Sequence, residues 1–270
     1  MTAFTRCVFV YLAALTASGC GLLPVTHTLA RSPDGRHTAS VYRAFSIDPP
    51  DDHLYLSSDG RRETELMALA PDMDWCQTIV WAADSRHVGF LINEQRLAVF
   101  DAATGEHTAM LVLVPDTMAW GPIAARDVRF EAGGTRVSFE RFERPVARIQ
   151  GRNGQVDTHI VWPRRGQAIV QPARALGREV LTIPTARLTV RLIDRGTSRP
   201  VTSGWIHLAK DERRSISLRA RPDSHGLLRL PAFEAGPLAT VEAQYQGGPH
   251  TVLHDVSIAE QPVEIALASR

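Results

Sequence analysis

Between residues 28 and 162 the apolar residues fall in short runs cut by polar turns, and helical periodicity is weak throughout. Ser32-Pro33-Asp34-Gly35-Arg36-His37 matches Ala82-Ala83-Asp84-Ser85-Arg86-His87 at an offset of 50, and the latter matches Glu131-Ala132-Gly133-Gly134-Thr135-Arg136 at an offset of 49. Each turn leads into a strand-like run: Thr38–Phe45, Val88–Asn93 and Val137–Phe142. Each unit then has a second turn, at Ser58-Asp59-Gly60, Ala103-Thr104-Gly105 and Arg152-Asn153-Gly154, followed by the runs Glu63–Leu69, Glu106–Val112 and Gln155–Trp162. Asp-Gly and Asn-Gly suit tight hairpins because glycine has no Cβ to clash at positive φ. Residues 163–184 lose the period and read as a linker or as extra strands, with the runs Gln167–Gln171 and Arg178–Ile183 available to complete a fourth sheet. From 185 to 270 the alternation is regular. Arg187–Ile193, Gly204–Ala209, Ser215–Arg221, Gly226–Leu230, Ala239–Gln246, His250–Ser257 and Pro262–Ala268 are seven candidate strands, which predicts a small β-sandwich.

Repeats of about 40–50 residues with several strands each mark propeller blades. The Ser32-Pro33-Asp34-Gly35 turn, with Trp81 just before the second copy, resembles the WD40-like blades of the TolB and prolyl-peptidase propellers. Closed propellers typically use four to eight blades, so three units predict an incomplete or small propeller-like module; a plain antiparallel meander is the alternative. The last module resembles the carboxypeptidase regulatory-like, transthyretin-like family. Asp194-Arg195-Gly196-Thr197-Ser198-Arg199-Pro200-Val201 stands for that family's first turn, with the glycine displaced, Pro222–Leu228 for its second mark, and Gly236 for its later turn glycine. The expected fold class is therefore all-β: a propeller-like or meander module, then a seven-stranded sandwich.

The start of the chain has a different pattern. Arg6 is the one charge before an apolar run, Cys7 to Leu15, and Ala17, Ser18 and Gly19 are small, as in a secretory signal. Ala17-Ser18-Gly19-Cys20 resembles the lipobox of bacterial lipoproteins. That resemblance implies a signal over 1–19, acyl chains on Cys20, a tether over 20–27, and a membrane partner reached through lipid. Gly21 in place of Asp implies passage to the outer membrane, with the body facing the periplasm or the cell surface. Two other readings stay open: a cleaved, released protein, and a membrane helix over Cys7–Val25, which has about the length a bilayer needs but contains Gly19, Gly21 and Pro24, poor helix formers.

Composition narrows the partners. Without the signal, basic and acidic side chains balance at 29 each. No basic excess is available for nucleic acid or for a polybasic grip on lipid headgroups. Cys76 is the one cysteine beyond Cys20, so the mature chain forms no internal disulfide, and with no basic neighbour it reads as a buried small hydrophobe.

Candidate chemistry is sparse. His250 and His254 share a strand face, but their Cα atoms lie about 13 Å apart, too far to share one ion. The loop Asp48-Pro49-Pro50-Asp51-Asp52 offers oxygen ligands that calcium would accept, or is simply solvated. Of Trp75, Trp81, Trp120, Trp162 and Trp205, four sit among apolar strand residues as core tryptophans do; Trp205 with Tyr245 is the pair open to a sugar. Lys210, the one lysine, stands after the second strand of the sandwich, which excludes the Lys–Asn crosslink of a related sandwich family. No Gly-x-Ser-x-Gly elbow, zinc-protease motif or phosphate-cradling loop occurs. The expectation is an envelope protein with no catalytic residue, cofactor or metal, binding a protein or a polymer; the alternatives are an uncharacterised periplasmic hydrolase and a carbohydrate-binding protein.

Overall fold

The computed structural model describes residues 25–44, 51–59, 62–69, 74–115, 121–150, 156–160, 169–211, 215–220, 222–233, 238–244, 249–257 and 262–267. Among them the regular structure is all strand, apart from one short 3-10 turn at Ala132–Gly134. The first sheet is the antiparallel meander β1 (Val25–Arg31), β2 (His37–Ala44), β3 (Asp51–Ser58) and β4 (Thr64–Ala68). The second repeats that plan with β5 (Cys76–Trp81), β6 (His87–Ile92), β7 (Arg96–Asp101) and β8 (His107–Val112).

The matching turns fold alike. In the first, Ser32 N donates to His37 O at 3.0 Å and Gly35 N to Ser32 O at 2.9 Å. In the second, Ala82 N donates to His87 O at 2.9 Å and Ser85 N to Ala82 O at 3.0 Å. Ser85 has φ 59° where Gly35 has φ 74°, so a serine takes the glycine conformation. The turns also touch: Asp34 N donates to Ser85 Oγ at 3.0 Å, and the His87 ring packs where a Cβ on Gly134 would stand. Trp81 ties the first strands together, with Nε1 donating to Ala30 O at 3.3 Å and its ring stacked on His37.

The third unit departs from the plan. After β9 (Ile123–Glu131) and β10 (Arg136–Glu143), β11 (Val146–Gln150), β12 (Val156–Ile160) and β13 (Ile169–Gln171) form a separate sheet in the order β12-β11-β13. The chain then returns as β14 (Arg174–Thr182), giving the sheet β14-β10-β9. The two runs between the modules thus join sheets of the third unit. Strands β1, β5 and β9 lie side by side, as the first strands of successive blades do, and among the described residues no sheet closes on itself. This is an incomplete propeller-like arc.

Burial explains why the second unit does not alternate. Val88, Phe90, Phe100 and Met110 face the first sheet's Ala39, Val41, Leu54 and Leu56, while Leu91, Leu97, Val99 and Leu111 face Ala125, Val137 and Phe139 of the third. A sheet covered on both faces needs apolar residues at successive positions.

The last module contains β15 (Thr189–Asp194), β16 (Gly204–Ala209), β17 (Ser215–Ala220), β18 (Leu227–Arg229), β19 (Ala232–Phe233), β20 (Leu238–Gln244), β21 (Thr251–Val256) and β22 (Val263–Leu267). Seven of these form two sheets, β18-β15-β22 and β17-β16-β20-β21, with β15 and β22 parallel. Val190, Leu192, Ile206, Leu208, Val241, Ala243, Ile265 and Leu267 point between them. The eighth, β19, leaves the sandwich and adds in parallel to β8, with Ala232 beside Ala109 and Phe233 beside Met110. One apolar cluster therefore runs from the first sheet through the second into the sandwich, and Arg187 and Glu106 pair across the junction.

Candidate binding surfaces

Strand β14 is an edge. Eight of its nine residues pair with β10 along one side, Leu176 being the bulged one, and no strand pairs its other side among the described residues. The ladder slips at Arg141/Phe142, where Gly177 has φ 133°, a backbone shape that L side chains avoid. Leu176 and Val180 are each 41% exposed. Arg174, Arg178 and Glu179 lie on the same strand, so the edge is mixed in character, and it offers a row of backbone donors and acceptors to another chain.

A groove of about 470 Å³ runs beside this edge, lined by Met110–Leu113, Pro115, Arg141, Glu179, Leu181 and Lys210, among others. Arg141 Nη1 donates to Glu179 Oε1 at 2.8 Å. Arg141 Nε is buried with no hydrogen-bond partner among the described residues, a donor that native interiors rarely leave unpaired.

A second surface lies on the outer face of the four-stranded sheet of the sandwich. Ile206 and Leu208 of β16 point inward, so Trp205 and His207 point outward. Trp205 is 43% exposed. With His207, Glu242, Gln244 and His250 it lines a depression of about 260 Å³, in which His250 Nδ1 and Glu242 Oε1 are hydrogen-bonded.

A third concavity, of about 170 Å³, sits where β4, β8 and the sandwich meet and includes Leu66, His107, Leu218 and Leu228. The His107 ring stacks on Phe100 at 4.5 Å. Burial pushes its pKa down to about 3, outweighing a backbone hydrogen bond at Ala109. Such a group is neutral and a poor proton acceptor at neutral pH.

The residues singled out by sequence fare unequally. Cys20, Trp120, Trp162, Gly236 and Tyr245 lie outside the described residues. Cys76 is buried, and burial pushes its thiol up to about 12, so the reactive thiolate is scarce at neutral pH. Asp52, from the acidic loop, is 1% exposed. Its carboxylate accepts from Arg43 Nε at 2.8 Å, from Arg43 Nη2 at 3.2 Å and from Cys76 N at 2.9 Å. Those bonds occupy the Asp52 carboxylate, while Asp48, Pro49 and Pro50 of the same loop lie outside the described residues. Trp75 is buried, as core tryptophans are. His254 is exposed, and no group of three His, Cys, Asp or Glu among the described residues is placed to hold a metal. The sequence did not single out Arg141 or Glu179. The signals for their positions were the strand-like runs Val137–Phe142 and Arg178–Ile183, without any sign that the latter would be an edge.

Fold and surfaces together define an all-β protein that offers an open sheet edge on one module and an aromatic sheet face on the other. No protein-family model matches the sequence, and no curated protein matches it. Among solved structures it is similar to an acylaminoacyl peptidase in complex with a chloromethyl ketone (8% identity, TM-score 0.35, 86% of this chain and 33% of that one). It is also similar to the uncomplexed acylaminoacyl peptidase of Pyrococcus horikoshii (8%, 0.33, 86% and 32%) and to the β-propeller domain of Cps50 from Myceliophteria thermophila (7%, 0.31, 90% and 72%). The chain spans about a third of the length of those peptidases. Likeness this distant says nothing about activity.

Proposed function

We propose that this chain is a non-catalytic, lipid-anchored protein of the cell envelope, tethered through Cys20 at the outer membrane, and that its propeller-like module holds an extended segment of a protein partner. The bare side of β14 carries this reading. The first two sheets have four meander strands each and the third has three among the described residues, so an added strand would complete the pattern. Strand addition draws affinity from main-chain hydrogen bonds and specificity from alternate side chains. The partner's apolar residues would cover Leu176 and Val180, and the neighbouring groove would take the side chains that face Arg141 and Glu179.

The test is a photo-crosslinking residue at position 180 in intact cells, with the same residue at exposed position 195 as the control. A discrete adduct at 180 that is lost with Leu176→Lys is expected. Equal labelling at 180 and 195, or an adduct indifferent to Leu176→Lys, would contradict strand addition. The tether is tested separately: Cys20→Ala should leave the membrane fraction, and its retention there would remove the lipid anchor.

A further inference from the structure

We propose that the outer face of the β16–β20–β21 sheet is a saccharide site, on which a pyranose ring of a neutral or N-acetylated glycan stacks against Trp205. This goes beyond the protein-binding edge, lies on the other module and does not depend on it.

A pyranose is amphipathic in a particular way. One face is a flat patch of C–H groups, and the rim is a ring of hydroxyls that both donate and accept. A complementary site needs a flat apolar platform with mixed hydrogen-bonding side chains at its margin. Trp205 supplies the platform. Its strand is central in the sheet, hydrogen-bonded to β17 on one side and β20 on the other, so its backbone is fixed before any ligand arrives. Its neighbours Ile206 and Leu208 fill the core, so strand alternation rather than want of room keeps the indole outside. Tryptophan combines large contact area with few rotatable bonds.

The margin is polar. Gln244 is the register partner of Trp205, and Glu242 that of His207. His250 reaches Glu242 from the far strand, and Val252, 42% exposed, stands opposite Glu242 on the same face. These side chains bring a carboxylate, an amide, two imidazoles and one small apolar contact, a mixture matched to hydroxyl and acetamido groups. A depression of about 260 Å³ suits one sugar unit, so an open face of this kind would read a chain one ring at a time.

The experiment is a pull-down of the mature protein on chitin, cellulose and purified peptidoglycan sacculi, with double-stranded DNA on beads as the polyanion control. Wild type should be retained on at least one glycan and not on DNA, and soluble oligosaccharide of that glycan should release it. Trp205→Ala should reduce the bound fraction by about tenfold, equivalent to about 1.4 kcal/mol, with an unchanged melting temperature, and Trp205→Phe should keep most of the binding. Glu242→Ala should weaken retention without abolishing it. Failure of every glycan to retain wild type, equal retention of Trp205→Ala, or stronger retention on DNA would each overturn the saccharide site. None of these outcomes alters the crosslink expected at position 180.

Discussion

Position 198 shows how far one residue's backbone can be predicted. The turn Asp194–Ser198 repeats the design of Asp101–Gly105. In each, the aspartate Oδ1 accepts from the threonine three residues on, through both its amide and its hydroxyl. The fifth residue is left-handed in each, at φ 72° for Gly105 and φ 55° for Ser198. The displaced glycine of this turn thus has a structural consequence: serine bears the strain that glycine would avoid. Ser198→Gly should raise stability by about 0.5–1 kcal/mol in denaturant unfolding, the size of the left-handed penalty less glycine's added chain entropy. Gly226 is the opposite case. A Cβ there would stand 2.4 Å from Leu192 O at φ 76°, so Gly226→Ala should cost about 2 kcal/mol or more. Glu94 is different again, because nothing in the sequence marks it. Burial raises its pKa to about 6 against the opposing pull of Arg144. The folded state therefore holds a proton that the unfolded chain has released, and stability falls as pH rises from the ordinary carboxylate range to about 6. Glu94→Gln should remove that slope from a series of unfolding curves taken across the window.

Among the elements, those with a local signal were legible and those defined by a distant partner were not. All seven strands expected in the sandwich are present, and Gly204–Ala209 has the expected bounds, because alternation and turn chemistry are written in adjacent residues. The first two repeats fold alike for the same reason. Strand β19 has two residues, too few for any period, and exists because β8 offers it an edge. Likewise β11 and β12 continue a run of hairpins that looks like blade sequence but pairs into its own sheet. Of the binding surfaces, Trp205 was legible as an outward residue on an alternating strand. The β14 edge was not, since an edge is defined by what fails to pair. Phe233 tests the weight of β19. It is 2% exposed and packs in the cluster shared by both modules, so Phe233→Ala should destabilise by about 3 kcal/mol. The loss should appear in the signals of both modules together, and loss confined to the sandwich would show that β19 does not join them.

At the scale of the molecule, the sandwich and the propeller-like arc are held as one body by the β8–β19 pairing, the Arg187–Glu106 pair and a continuous apolar cluster. The arc stops after three units, and its last sheet presents a strand paired on one side among the described residues. A body built this way keeps its edge in a fixed place relative to its aromatic face, which suits a protein that holds others in position. Amide hydrogen exchange read across residues 174–182, in the purified protein and again in envelope fractions where the proposed partner would be present, tests the edge most directly. Amides on the free side should exchange quickly in the purified protein and at least about tenfold more slowly in the envelope; the same fast exchange in both would contradict strand addition at β14.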